Sequence, residues 1–155
     1  MREAAPFGVC LIREGSEVGA PALPEPVGCI AHIVRWDMPQ LGVLQIVVQG
    51  AERFRVVSRY VQADGLTRAT VELLPEAPDE IVPARFSGLR TLLERIAAEH
   101  GERIFAAPFQ FESSAWIGAR LSEVLPLPNQ VKQQLLEMDG VRRLDMLGRL
   151  IEQKG

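Results

Sequence analysis

Val27–Val56, VGCIAHIVRWDMPQLGVLQIVVQGAERFRV, is the stretch whose reading decides the fold of this 155-residue chain. Gly28 to Val34 is apolar enough for a strand, and Trp36-Asp37-Met38-Pro39 reads as a break. Gly42 to Val48 is a second strand. Gln49-Gly50-Ala51-Glu52 reads as a hairpin connection in which Gly50 supplies a positive φ, and a third strand, Phe54 to Tyr60, follows. By period two, Phe54 and Val56 point to one side of that strand, and Arg53 and Arg55 to the other.

Working outward, Phe7 to Ile12 is a continuous apolar run suited to a strand buried on both faces. Gly15 and Gly19 mark a turn. Pro21, Pro24 and Pro26 make Ala20 to Pro26 a stiff loop, because proline donates no ladder hydrogen bond. Asp64-Gly65 is a further turn, and Thr67 to Leu73 alternates as a half-buried antiparallel strand. At Pro75 to Glu80 the composition changes to proline and acid, which reads as a linker.

Beyond the linker the apolar spacing is three and four. Ile81 to Glu99 reads as a helix stopped by Gly101, and Ser113 as the N-cap of a second helix. Pro128 opens a third with Val131 and Leu135 inward. Asp139-Gly140 precedes a last helix bearing Val141, Leu144, Leu147 and Ile151. Strands first and helices second is the α+β class, with a β-rich part at 1–78 and a helical part at 79–155.

The totals exclude several function classes. A net charge of −3 gives no reason to expect nucleic acid. No apolar run is long enough for a membrane helix, and MREAAPFGVCLIREG lacks the pattern of a signal peptide, so the cytoplasm is the expected compartment. Cys10 and Cys29 then read as small thiols in apolar strands rather than a disulfide. His32 and His100 are far apart and the cysteines lack ligand spacing, so no metal is expected. No nucleophile elbow and no glycine-rich phosphate loop occurs, so neither a catalytic residue nor a cofactor site is assigned. Asp79-Glu80 reads as solvated charge.

The candidate binding surface is therefore one of contact rather than chemistry. Arg53, Arg55 and Arg59 recur along one strand, joined by Arg68 on the next. Such a face suits anions, acidic peptide or RNA, or is a solvated face paired with Glu52 and Glu72. Trp36 is either an exposed recognition aromatic or a cover for one end of the sheet, and Trp116 reads as core.

Particular residues also carry a family likeness. They are Phe7-Gly8-Val9, Ile12-Arg13-Glu14-Gly15, Val18-Gly19, Gly28-Cys29-Ile30-Ala31, Gly50 with Arg53-Phe54-Arg55, and Val71-Glu72-Leu73-Leu74-Pro75. Trp116, Leu125-Pro126-Leu127, Lys132-Gln133, Leu135-Leu136-Glu137, Arg143-Leu144 and Leu147 continue the pattern. In this order they resemble the N-terminal substrate-binding domain of the Lon protease family. The resemblance implies a PUA-like, partly open β-barrel followed by a helical bundle, with the first strand and helix of the family pattern missing before Phe7. It further implies a non-enzymatic module without the ATPase and protease domains. Its expected partners are unfolded or flexible polypeptide segments, met at the groove between barrel and bundle and at the Pro21–Pro26 loop. It is compatible with a homo-oligomer. The alternative is an RNA-binding PUA-like module that uses the arginine face.

Overall fold

The computed structural model describes residues 5–154, so the first four residues of the segment read for a signal peptide lie outside the described residues. The chain divides after Leu74 into two units. The first is a mostly antiparallel sheet and the second is helical, and the class is α+β.

The sheet unit has β1 (Phe7–Val9), β2 (Ile12–Glu14), β3 (Leu23–Pro24), β4 (Val27–Gln40), β5 (Val43–Val61) and β6 (Thr67–Leu73). A four-stranded sheet runs in the order β1-β4-β5-β6, and β2 pairs with β3 in a second, small ladder. All these pairings are antiparallel. The barrel they outline stays partly open.

Four expectations about this unit change, the last of them at β6. The apolar run from Phe7 to Ile12 is not one buried strand. It breaks at Cys10-Leu11 into two short strands, and Phe7 to Val9 are exposed because β1 is an edge. Leu23-Pro24, inside the proline-rich loop, takes part in a short ladder through β2. Most consequential, neither Trp36–Pro39 nor Gln49–Glu52 is a break. β4 passes straight through Asp37 and Met38, and β5 runs 19 residues through Gly50. The chain reverses once, at Leu41-Gly42, where Gly42 has φ 84°, while Gly50 sits opposite Ala31 in the ladder. Glycine in a strand can mark a bulge as well as a turn, and the register indeed shifts between Cys29 and Ala31.

Phe54, 3% exposed, is the centre of this unit. Its ring lies where side chains at Gly8 and Gly28 would be: a Cβ on Gly8 would approach the ring to 2.9 Å, and one on Gly28 to 2.8 Å. Gly28 also faces the Val9 carbonyl, at 2.4 Å from such a Cβ, so β1, β4 and β5 meet around one aromatic ring. The Asp64-Gly65 turn forms as read, with Asp64 Oδ1 accepting from the Leu66 N–H at 3.0 Å. β6 is antiparallel but exposed throughout rather than half-buried.

The helical unit holds α1 (Ser87–Ile104), α2 (Ser114–Val124), α3 (Asn129–Glu137) and α4 (Gly140–Gln153), with a 3-10 turn at Ala84–Phe86. The helix read from Ile81 starts later, because Pro83 cannot extend it and Ile81 bridges instead to Ser113. Gly101 does not stop α1 either. It lies in the last turn, where its missing side chain admits the Phe109 ring, 2.9 Å from an added Cβ. Phe105, Phe109, Phe111 and Trp116 form an edge-to-face cluster with ring centroids 5.4 to 6.2 Å apart. Leu93, Ile117, Leu121, Leu135, Leu144 and Leu147 are fully buried beside it.

Two polar devices hold the helices in place. The start of α2 is capped by Ser113, whose Oγ accepts from the Trp116 N–H at 2.9 Å as its position suggests. Asp79 is not idle solvated charge, since its Oδ1 accepts from the Ala115 N–H at 3.1 Å and adds a second cap. At the far end of α3, Arg143 of α4 is 6% exposed. Its Nε donates to the Leu135 carbonyl at 2.7 Å and its Nη2 to the Met138 carbonyl at 2.6 Å. Both carbonyls lie at the C-terminal end of α3, where backbone donors run short, so a buried cation there gives each a charged donor. Gly118 of α2 gives the arginine room, its absent Cβ lying 3.1 Å from Arg143 Cδ. Among the described residues, no helix is long and apolar enough to cross a membrane.

Arg143→Ala removes a buried guanidinium that donates to two helix-end carbonyls, and we expect a loss of about 2–4 kcal/mol in urea unfolding followed by Trp116 fluorescence. Gly28→Ala forces a Cβ against backbone and Phe54, and should cost about 1–3 kcal/mol or more. Gly148→Ala is the opposite case. It lies inside α4 with open space around it, and should raise stability by about 0.5–1 kcal/mol in the same assay.

Candidate functional site

In an antiparallel ladder, directly opposite residues share a face, so the register sorts every side chain of the sheet. Val56 is opposite Val71, but Ser58 is opposite Thr70, which leaves Val57 as an extra residue on β5. This bulge reverses the alternation beyond it. Phe54, Val56 and Arg59 fall on one face with Ala69 and Val71, whereas Arg55, Ser58 and Tyr60 fall on the other with Arg68 and Glu72.

The expected arginine face is therefore dispersed. Arg53 is 7% exposed and is not a surface group at all. Arg55 is exposed and sits opposite Glu72, and Arg68 is opposite Tyr60 on that same face. Arg59 lies on the reverse, opposite Ala69. Strict period two misses this because a single inserted residue cannot be seen in the alternation of Arg53, Arg55 and Arg59.

The face that carries Arg59 forms a groove of about 630 Å³, lined wholly by the sheet unit. Its floor is apolar: Ile30, Phe54, Val56, Ala69 and Val71, with the backbone of Gly8 beside Phe54. One wall is the segment that runs from Ser16 through Pro21 to Pro24, and Asp64-Gly65 closes another side. The proline-rich loop thus borders a concave surface, as its stiffness suggests. It is held by two backbone bonds, Glu25 N–H to the Leu11 carbonyl at 2.7 Å and Val56 N–H to the Pro26 carbonyl at 2.8 Å. The rim offers both signs of charge, with Glu17 and Asp64 against Arg59. Sequence reading gave Ser16–Gly19 and Asp64-Gly65 only as turns. Their convergence on one face is a tertiary fact with no local signal.

Cys10 lines the same groove, half-buried, and burial pushes its thiol pKa up. It stays protonated near neutral pH and is a poor nucleophile. Cys29 donates from Sγ to the Ala51 carbonyl at 3.2 Å, and neither thiol is in a disulfide. His32 is exposed on β4, and His100 is exposed with Nε2 3.8 Å from Glu99 Oε2. No group of three His, Cys, Asp or Glu could hold a metal ion among the described residues. The groove can sort ligands by shape, apolar contact and a few polar rim groups.

Trp36 is neither in a loop nor folded over an end of the sheet. It stands within β4 opposite Ile46, 52% exposed. Trp116 joins the aromatic cluster of the helical unit.

This architecture has known counterparts. A solved Lon N-terminal domain protein from Xanthomonas campestris is 31% identical, with a TM-score of 0.74, over 92% of this chain and 74% of that one. The N-terminal domain of a Mycobacterium avium complex Lon protease has a TM-score of 0.55 over 94% of this chain and 88% of that one. At 21% identity it speaks for the fold alone. A Lon protease of Paraburkholderia phytofirmans is 30% identical over 154 residues, 94% of this chain. The chain spans only 19% of the length of that relative. The family model for the substrate-binding domain of ATP-dependent protease La (LON) matches residues 1–153. The chain belongs to the LON substrate-binding domain family.

Proposed function

We propose that this chain is a non-enzymatic recognition module that holds unfolded or flexible polypeptide segments in the groove of its sheet unit. The observation that carries the reading is the apolar floor from Ile30 to Val71, bordered by a stiff proline-containing wall and a rim of mixed charge. A volume of about 630 Å³ suits a short extended segment. Apolar floor residues reward buried side chains of any sequence, which fits a binder of many polypeptides better than one of a single small molecule. Cys10 and Cys29, neither of them in a disulfide, fit a reducing, cytoplasmic setting. The RNA alternative needs a continuous basic surface. It is weakened here, because Arg53 is buried and the Val57 bulge separates Arg59 from Arg55 and Arg68.

A reduced, carboxymethylated, fluorescently labelled protein is a suitable ligand for anisotropy titration. Saturable binding at roughly micromolar to 100 µM concentration is expected, and Ala69→Trp should weaken it about tenfold by filling the floor. Absence of binding at the top of that range, with the fold intact by circular dichroism, would refute the reading.

A further inference from the structure

β6 is the outer strand of the four-stranded sheet, with β5 on one side and, among the described residues, no strand on the other. Thr67 to Leu73 are all exposed. A strand so placed keeps half of its backbone N–H and C=O groups unpaired. The ladder shows which half. At one end the Gln62 N–H donates to the Leu66 carbonyl at 2.8 Å, and at the other the Leu74 N–H donates to the Arg53 carbonyl at 2.9 Å. Bonded and non-bonded pairs alternate between those ends, so Arg68, Thr70 and Glu72 turn their backbone groups to β5. Thr67, Ala69, Val71 and Leu73 turn theirs away from it.

Those same residues carry the groove. Thr67, Ala69 and Val71 line it, and Leu73 is opposite Phe54 of its floor. None of the four is charged and none is proline, the residue types that commonly blunt a sheet edge. The charges of β6, Arg68 and Glu72, stand on the reverse face. An open row of hydrogen-bonding groups therefore runs along the margin of an apolar floor.

We infer that β6 receives an extended polypeptide segment as an added strand, so that main-chain hydrogen bonds and groove contacts hold one ligand. The inference rests on the groove being a polypeptide site and adds how the segment is gripped. N–H and C=O groups that repeat about every 7 Å along an edge are matched by another extended backbone. Side chains of the added strand alternate too. Every second one lies over the groove beside Thr67, Ala69 and Val71, and the others stand with Arg68 and Glu72. Charge complementarity acts at one position. Arg59 is opposite Ala69 on the groove face, and the small Ala69 side chain leaves it a path to the added strand, where an acidic residue suits it. Extension and alternation select the ligand more than any one sequence does.

Amide hydrogen exchange followed by NMR tests this. The probe is a labelled peptide of seven residues, the length of β6, alternating Val and Thr with one Val replaced by Glu. In the unliganded protein the amides of Arg68, Thr70 and Glu72 should exchange slowly, and those of Ala69 and Val71 fast. Bound peptide should slow Ala69 and Val71 by about tenfold or more, which erases the alternation. N-methylation of one alternate set of peptide amides should abolish binding, since it removes the donors that face β6. N-methylation of the other set should spare it, and exchanging the Glu for Lys should weaken it several-fold. A peptide that binds without slowing Ala69 and Val71, or that tolerates both methylated sets, overturns the inference and leaves the groove a polypeptide site. So does a peptide that fails to bind where carboxymethylated protein succeeds. Failure of both ligands overturns the inference together with the reading beneath it.

Discussion

The sheet unit depends on one constraint: the Phe54 ring occupies the space of two missing side chains, Gly8 and Gly28. This fixes β1 and β5 on either side of β4 at a separation no larger residue would permit. Its consequence reaches the groove, because Gly8 and Phe54 are part of the lining. The same ring that holds three strands together supplies the apolar floor. Stability and recognition are therefore served by the same atoms in this unit. A substitution in the floor cannot be judged by its effect on binding alone.

The helical unit solves a different problem. Its leucine core is ordinary, and burial of Leu93, Ile117, Leu121, Leu135, Leu144 and Leu147 supplies the main driving force. Apolar burial is non-directional, however, and does not by itself fix where a short helix ends. Direction comes from polar groups: Ser113 and Asp79 at the start of α2, and Arg143 at the end of α3. The exposed pairs of Arg90 with Glu94 and Glu112 add little, since both partners are well hydrated.

The fold class and the order of elements were legible in the sequence because periodicity is local. Val131, Leu135, Leu144 and Leu147 announce their helices, and Ser113 announces its cap. What failed was the meaning of glycine. Gly50, Gly42 and Gly101 look alike on the page, but they are a strand position, a turn and a seat for Phe109. Only the partner across the ladder or across the core tells them apart. Asp79 was misread for the same reason: the N–H it caps belongs to Ala115, 36 positions away. Of the candidate surface, Trp36 is half-exposed where the reading favoured a cover for one end of the sheet, and Arg59 lies on the face opposite to Arg55 and Arg68.

The extra residue at Val57 has an evolutionary consequence. A strand that carries one bulge works like a vernier: ironing the bulge out while keeping its residue exchanges the inward and outward series downstream of it. Arg59 and Tyr60 would then trade surfaces while Phe54 and its two glycines stayed as they are. A lineage could thus re-dress its recognition surface by substitutions that remove the bulge at unchanged chain length, without disturbing the packing that makes the unit fold.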